Sequence, residues 1–321
     1  MAATPSAHCF VGGTEKGVYP AVVIEIPEDF ARQLVDREGD PGRAWLASLP
    51  GLVDELLRRW RCTPTAPITR GHLGIILPVQ RDDGSPAVLK VSFTHPVNMY
   101  EAHAYAVWCG RGAVLLYERD DANFAMLLEQ GEWQTLEDLG DVDQATAVAG
   151  QLARRLAVSA PPELPRLSDR AEDWEQSLHE NSELLGHPLS QRALDAALAT
   201  IQDLARKQPD TVVHGDLHFG NVVRSHREPW LAIDPFGPAG DLAYDALEVL
   251  KRGAASLLQA VDLEAELRRR LAIFADAAEI ERERAIRWAQ VRAATGAHKS
   301  RKAGKPAWII QGHEQIAELL A

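Results

Sequence analysis

The sequence has 321 residues, of which 46% are hydrophobic and 25% charged, and this balance is typical of a folded, water-soluble protein. The formal net charge of −12 argues against nucleic acid as a partner, because phosphate binding depends on a basic surface. No apolar run is long enough to span a bilayer, and the N-terminus lacks the basic start and apolar middle of a signal peptide.

An acidic surface would speed the approach of a cationic small substrate, although solubility alone also explains the charge. Cys9, Cys62 and Cys109 are far apart and lack the spacing of a metal site, so we expect free thiols in a reducing cytosol. The length suits one bilobal unit or two small domains, and the sequence is compatible with a monomer or a homodimer.

In chain order, a short strand is predicted at Ala21–Ile26, and two helices follow at about 28–36 and 43–60. The second helix carries apolar residues at helical spacing, so we expect the pair to pack on the N-terminal region that follows. Two strands, at 74–80 and 86–91, are then joined by Asp82-Asp-Gly-Ser85, which is a strong hairpin signal.

Lys90 lies near the end of the second hairpin strand, between apolar neighbours. Such a lysine either extends its ammonium group to solvent or binds a phosphate. A helix opening with Glu101 comes next. The remaining predicted elements are strands at 112–117 and 124–129, helices at about 145–156 and 168–185, a helix capped by Ser190, and a helical segment at 254–295.

A carboxylate and two further oxygen ligands follow short apolar runs in the stretch Thr211–Gly237. Asp216 lies in a loop after such a run, Asn221 comes five residues later, and Asp234 ends a second run. Phosphoryl transfer needs one carboxylate to accept the proton of a hydroxyl and two oxygen ligands to hold Mg²⁺ on the phosphates. The trio therefore indicates a phosphotransferase.

Two other interpretations of this stretch are possible. His214 and His218 are four residues apart, which on a helix would place two zinc ligands on one face and suggest a metallohydrolase. Gly215 and Gly220 instead favour a strand followed by a loop. A single Asp or Asn in a loop is most often part of a turn, but three at this spacing favour the catalytic interpretation.

The stretches HGDLHFGN, IDPFG and GDLAYD resemble the aminoglycoside phosphotransferase superfamily, and within it the streptomycin 6-phosphotransferase and hydroxyurea kinase branch. The resemblance implies an α+β, bilobal fold like that of protein kinases. The N-terminal lobe would span 1–128, with an antiparallel sheet and a helical extension at about 27–60. The mostly helical C-terminal lobe would span 129–321 and include the interlobe hinge.

The same resemblance implies ATP and Mg²⁺ as cofactors. Asp216 would be the catalytic base, and Asn221 and Asp234 would bind Mg²⁺. Lys90 would contact the α- and β-phosphates and pair with Glu101. The hinge positions whose backbone would bind adenine are Glu129 and Gln130.

Four further residues are candidates for substrate binding or for bracing the loops. Asp241 and Asp245 open the next predicted helix, where carboxylates cap free N–H groups, and the resemblance implies that Asp241 braces the catalytic loop. His214 belongs to the same loop. Trp288 could stack on a sugar or cyclitol ring, although buried packing is the commoner role of tryptophan.

The acceptor implied by the resemblance is a small molecule with a hydroxyl group, above all an aminocyclitol antibiotic such as streptomycin, which phosphorylation would inactivate. Hydroxyurea, a sugar or an amino alcohol is the alternative acceptor. A degenerate kinase that only binds a small molecule is a different class of function, but it would be expected to have lost one of the three polar ligands. We expect a cytoplasmic protein with no nucleic-acid or membrane partner.

Overall fold

The computed structural model describes residues 25–251, 257 and 260–321. The strand predicted at Ala21–Ile26 lies mostly outside these residues, and Glu25 and Ile26 belong to no helix or strand. The helices are α1 (Glu28–Glu38), α2 (Asp40–Arg59), α3 (Glu101–Trp108), α4 (Val142–Leu156), α5 (Ala171–Leu184), α6 (Gln191–Thr200), α7 (Glu248–Lys251), α8 (Leu263–Ala278), α9 (Arg282–Lys302) and α10 (Ala307–Leu319).

Six strands form an antiparallel sheet in the N-terminal part, in the order β1-β3-β4-β6-β5, with β2 paired to β3. They are β1 (Cys62–Pro64), β2 (Thr69–Arg70), β3 (Gly74–Arg81), β4 (Pro86–Ser92), β5 (Leu116–Asp120) and β6 (Ala125–Glu129). The predicted hairpin is β3–β4, and its register places Lys90 opposite Ile76 on one side and Met126 on the other. Lys90 therefore lies on the central strand.

Helices α1 and α2 cover one face of this sheet, as predicted for the helical extension. Phe30, Leu34 and Leu56 are buried in one apolar cluster with Ile75 and Leu89 of the sheet. Burying a side chain of this size stabilises the fold by about 1.5–3 kcal/mol relative to leaving it exposed, so the cluster fixes the helix pair on the sheet.

Helix α3 packs differently from the rest of the N-terminal region. Its Ala104, Tyr105 and Trp108 belong to the larger apolar cluster, which is built mainly from residues after 129. The helix that opens with Glu101 is thus joined to the helical part of the molecule. The division of the chain at 128/129 stays a prediction.

Four short strands complete the fold and carry the loops of the predicted site. They are β7 (Thr211–Val212), β8 (Val222–Arg224), β9 (Trp230–Ala232) and β10 (Ala239–Gly240), paired as β7–β10 and β8–β9. Strand β5 begins four residues later than predicted because the Val114 amide donates to the Ala232 carbonyl at 3.2 Å, which draws 112–115 toward β9.

The predicted helical segment at 254–295 is interrupted within its described part. Helix α8 ends at Ala278, Glu279 has a left-handed φ of 55°, and α9 continues to Lys302. Within the described ranges, no helix has the length and apolar character needed to cross a membrane. Cys62 is a buried free thiol and Cys109 an exposed one, while Cys9 lies outside the described residues.

Candidate active site

The loop that carries Asp216 is held in place by a buried carboxylate. Asp245 accepts hydrogen bonds from the backbone amides of His214, at 3.1 Å, and Gly215, at 2.9 Å. Burial raises the pKa of Asp245 to about 7. The expectation that Asp241 braces this loop is therefore wrong, since Asp245 makes the contacts. Asp245 also lies within the short 3₁₀ helix Leu242–Leu247 and does not cap it.

His214 is a structural part of the same loop. Its Nδ1 accepts from the Asp216 amide at 3.3 Å, its Nε2 donates to the Ile233 carbonyl at 2.8 Å, and its ring stacks on Trp108. Burial lowers the pKa of the imidazole to about 4, so the ring is neutral at pH 7. Both ring nitrogens are engaged by the backbone, which argues against the zinc interpretation.

Asp216 presents its carboxylate between two groups that can carry positive charge. Its Oδ1 lies 3.3 Å from Lys251 Nζ, and its Oδ2 lies 3.8 Å from His218 Nε2. Burial and the nearby Glu248 carboxylate raise the pKa of Asp216, and Lys251 opposes them. A carboxylate with a raised pKa accepts a proton more readily, as a general base must.

Asn221 links the Asp216 loop to the end of β9. Its Nδ2 donates to the Asp216 carbonyl at 2.9 Å, and its own carbonyl accepts from the Ile233 amide at 2.9 Å. These two bonds bring Asp216, Asn221 and the residue before Asp234 into one cluster. The Nδ2 bond also fixes the amide plane, so that Oδ1 is directed away from the Asp216 carbonyl.

Lys90 connects the sheet to this cluster. Its Nζ lies 2.6 Å from Glu101 Oε1 and 2.7 Å from Asp234 Oδ1, so the predicted pairing of Lys90 with Glu101 is present. One ammonium thus faces two carboxylates. Burial raises the pKa of Glu101 to about 7, whereas at Asp234 the Lys90 ammonium outweighs burial and lowers the pKa.

The donor set fits a magnesium ion. Lys90 contacts only Oδ1 of Asp234, and the Asp234 side chain keeps 42% of its surface exposed, so the carboxylate has room for a second ligand interaction. In the described ranges no three or more His, Cys, Asp and Glu side chains converge as a metal site. Mg²⁺ is instead commonly bound by one or two protein oxygens together with water and substrate phosphates.

The predicted hinge residue Glu129 is engaged within the protein. Its amide donates to the Leu115 carbonyl at 2.8 Å, and its carboxylate accepts from the Arg227 guanidinium, with Nη2 at 2.8 Å. The amide is therefore not free for adenine, and an adenine contact through that group is ruled out. Gln130 follows it and is half-buried. Its role toward adenine stays a prediction.

Asp241 and Trp288 form a bracing pair away from the Asp216 loop. Asp241 Oδ1 caps the 3₁₀ helix by accepting from the Ala243 amide at 3.0 Å, and Oδ2 accepts from Trp288 Nε1 at 2.7 Å and from Arg284. The capping predicted for Asp241 is present. Trp288 is fully buried, so the suggestion that it stacks on a substrate ring is wrong.

Comparison with known proteins agrees with this arrangement. The sequence profile described as "Aminoglycoside/hydroxyurea antibiotic resistance kinase" matches residues 59–304, which is most of the chain. The chain belongs to that family. The kinase is 35% identical over 268 residues to a streptomycin 6-kinase of Streptomyces glaucescens, covering 83% of this chain and 87% of that protein.

Two other relatives show how far the similarity extends. The kinase is 32% identical to a streptomycin 6-kinase of Streptomyces griseus, over 84% of this chain and 88% of that one. It is 36% identical to a hydroxyurea phosphotransferase of Kitasatospora aureofaciens, over 72% of this chain and 69% of that one. Identity therefore does not separate the two groups of relatives.

Solved structures confirm the bilobal, protein-kinase-like fold. A choline kinase from Streptococcus pneumoniae superposes with a TM-score of 0.56 at 11% identity, covering 85% of this chain and 98% of that one. The GDP complex of an aminoglycoside 2'-phosphotransferase-IIIa gives 0.54 at 15% identity, covering 84% and 97%. At such identities the similarity establishes the fold alone.

Family membership makes the protein a phosphotransferase, which uses a nucleotide as phosphate donor and an alcohol group as acceptor. The structure also identifies residues that sequence reasoning missed. Tyr105 contacts the Asp234 backbone, and the ion pair of the buried Glu248 with the half-buried Arg292 lies behind Lys251. None of these residues stands in the signature stretches, so only the three-dimensional contacts point to them.

Proposed function

We propose that the kinase transfers the γ-phosphate of ATP, with Mg²⁺, to a ring hydroxyl of an aminocyclitol antibiotic, and that streptomycin is the first acceptor to test. The observation that carries the reaction is the contact of Lys90 with Asp234, 2.7 Å, beside the Asn221–Asp216 bond of 2.9 Å. Together, these two contacts link the residues proposed to bind phosphate and metal with the proposed base. Two streptomycin 6-kinases among the relatives support the acceptor.

Each side chain then has a separate task. Asp216 accepts a hydrogen bond from the acceptor hydroxyl and takes its proton as the bond to phosphorus forms and the bond to ADP breaks. Lys90 binds the α- and β-phosphates and is oriented by Glu101. Asn221 and Asp234 would hold Mg²⁺, which when bound neutralises the phosphate charge that repels a nucleophile.

The loop that carries Asp216 is also preorganised. His214, Asp245 and Trp108 fix the Asp216 loop through buried contacts, so the base keeps its position without the acceptor. Holding a reacting group in place before the substrate arrives lowers the entropy cost of the reaction.

Hydroxyurea is the second candidate acceptor, because the relative at 36% identity is a hydroxyurea phosphotransferase. The deciding experiment is an ATP-consumption screen across streptomycin, other aminoglycosides, hydroxyurea, sugars and amino alcohols. Streptomycin-dependent ADP release, with mass spectrometry showing one added phosphate, is the expected result. Turnover with hydroxyurea alone would transfer the assignment to the second candidate, and no turnover with any acceptor would contradict both.

The magnesium role needs its own test. Asp234→Ala should lose Mg²⁺-dependent binding of ATP, because Lys90 and Asn221 remain but one metal ligand is gone. Isothermal titration calorimetry with and without Mg²⁺ measures this. Equal ATP affinity in the variant and the wild type would contradict the metal role.

A cytoplasmic location is part of the same proposal, since the three cysteines lie in no disulfide-type pattern.

A further inference from the structure

Lys251 lies at the proposed base, although no sequence motif includes it. It ends α7, its Nζ is 3.3 Å from Asp216 Oδ1, and 46% of its side chain is exposed. Thirty-five residues separate it from Asp216 along the chain. The contact therefore arises only from the way α7 is positioned against the Asp216 loop.

A chain of charges holds Lys251 from behind. Glu248, one helical turn earlier, is fully buried and forms ion pairs with Lys251 and with Arg292 Nη2 at 2.8 Å. Arg292 also donates to the Tyr244 carbonyl at 2.8 Å and stacks on the Tyr244 ring at 4.0 Å. A buried carboxylate is costly unless its charge is compensated, so Glu248 and Arg292 form a firm anchor for the lysine.

The position of the ammonium matches the place where the phosphoryl group must pass. An acceptor oxygen has to lie about 2.6–3.2 Å from an oxygen of Asp216 for proton transfer. An ammonium 3.3 Å from the same carboxylate is then within reach of the oxygens on the incoming phosphorus. Lys90 pairs with Glu101 and Asp234, whereas Lys251 is the lysine that contacts the proposed base Asp216.

We propose that Lys251 is a further catalytic residue, which binds an equatorial oxygen of the phosphoryl group during transfer. The inference rests on the proposed phosphotransfer at Asp216. Charge on these oxygens develops in the transition state, and a fixed cation aimed at them stabilises that state more than the ground state.

The exchange of partners keeps the charge balanced. The acceptor proton moves to Asp216 while the bond from acceptor oxygen to phosphorus forms and the bond from phosphorus to the ADP oxygen breaks. Asp216 becomes neutral as it takes the proton, so Lys251 loses one of its two anionic partners at that moment and keeps the other, Glu248. The ammonium then pairs with the newly formed phosphate ester, while its ion pair with Glu248 remains.

The primary test compares Lys251→Gln, Lys251→Arg and the control Lys302→Gln. Lys302 is an exposed lysine at the end of α9, so its variant makes the same charge change elsewhere. Two rates are measured with MgATP: transfer to streptomycin or hydroxyurea, and hydrolysis of ATP by water without an acceptor. We expect Lys251→Gln to lower kcat of both by about 10-fold or more. KM for ATP should stay unchanged, Lys251→Arg should restore most of the rate, and Lys302→Gln should match the wild type.

A second measurement does not depend on the acceptor. Fluoroaluminate with MgADP mimics the phosphoryl group in transfer, so it should bind more tightly to the wild type than to Lys251→Gln by about 10-fold or more. Binding of MgADP alone should be equal in both proteins. Thermal unfolding checks that the exposed lysine is not needed for folding.

Three results would overturn the inference. They are an unchanged kcat in Lys251→Gln, a higher kcat in that variant, and equal fluoroaluminate binding in both proteins. A higher kcat would mean that the Lys251 side chain blocks the acceptor site. Failure of the proposed function looks different, because the wild type itself would then neither transfer phosphate nor bind fluoroaluminate with MgADP.

Discussion

The backbone amide of Asp234 donates a hydrogen bond to the Tyr105 hydroxyl at 2.8 Å. Asp234 has a left-handed φ of 56°, a conformation that is costly for a residue with a Cβ. Tyr105 is fully buried on α3, one turn after Glu101. The helix that pairs with Lys90 therefore also stabilises the strained backbone of the proposed metal ligand.

Tyr105→Phe should weaken this loop, because it removes the acceptor and leaves a buried amide unsatisfied. We expect a loss of about 1–3 kcal/mol in the free energy of unfolding and a higher Mg²⁺ concentration for half-maximal activity. Urea unfolding and a Mg²⁺ titration of the rate measure the two effects. Tyr117→Phe on β5 is the matched control, and an unchanged Mg²⁺ requirement in Tyr105→Phe would show that another contact holds Asp234.

Asp216→Asn should reduce kcat by about 10² or more, because the amide cannot take the acceptor proton. ATP affinity should be preserved, since Lys90, Asn221 and Asp234 are untouched. Steady-state kinetics and calorimetric binding of MgATP separate these effects. A variant that retains full turnover would contradict the role of Asp216 as base.

Glu101→Gln should change how stability depends on pH. Burial raises the pKa of Glu101 from 4.5 to about 7, so between these values the folded protein holds a proton that the unfolded chain has released. The free energy of unfolding must then fall as pH rises through this window, by at most about 3 kcal/mol. The variant lacks this titration, so its stability relative to the wild type should rise over the same window.

Urea unfolding of both proteins across this range measures the difference, with Glu118→Gln, an exposed residue of β5, as control. A difference that is constant with pH would contradict the raised pKa. A difference that changes in the opposite direction would mean that Lys90 outweighs burial at Glu101.

Gly237→Ala should disturb the contact between α3 and the loop after Asp234. Gly237 has a φ of 67°, and a Cβ there would lie 2.6 Å from the Ala104 Cβ. Gly84 is a matched control, since its φ is 81° but a Cβ would meet no atom within 4 Å. The free energy of unfolding should fall by about 1 kcal/mol in both variants because of backbone strain. In Gly237→Ala it should fall by about 1–3 kcal/mol more because of crowding.

Unfolding free energies and kcat of the two variants test this comparison. Only Gly237→Ala should also lower kcat, because moving α3 moves Glu101 away from Lys90. Equal losses in both variants would mean that α3 yields to the added methyl group at little cost.

Features with a local signature could be predicted from the sequence. The β3–β4 hairpin follows from its turn residues, and Asp216, Asn221 and Asp234 stand at fixed spacing between short apolar runs. The resemblance implies the pairing of Lys90 with Glu101, which is present at 2.6 Å. In each case a few neighbouring residues carry the information.

Features that depend on long-range packing could not be predicted. Asp241 and Asp245 both lie at the start of the predicted helix, and only the folded chain shows that Asp245 reaches the His214 and Gly215 amides. Lys251 lies on α7, outside any sequence motif. The Glu129 amide donates to the Leu115 carbonyl, and the local sequence does not predict that contact.

Helix α3 belongs to the helical core, whereas Lys90 is part of the sheet. Any widening of the cleft between the sheet and the helical core would separate Lys90 from Glu101 and Asp234. The ion pairs of Lys90 with Glu101 and with Asp234 would then have to break. Product release would therefore require both ion pairs to break, in a step separate from the chemical one.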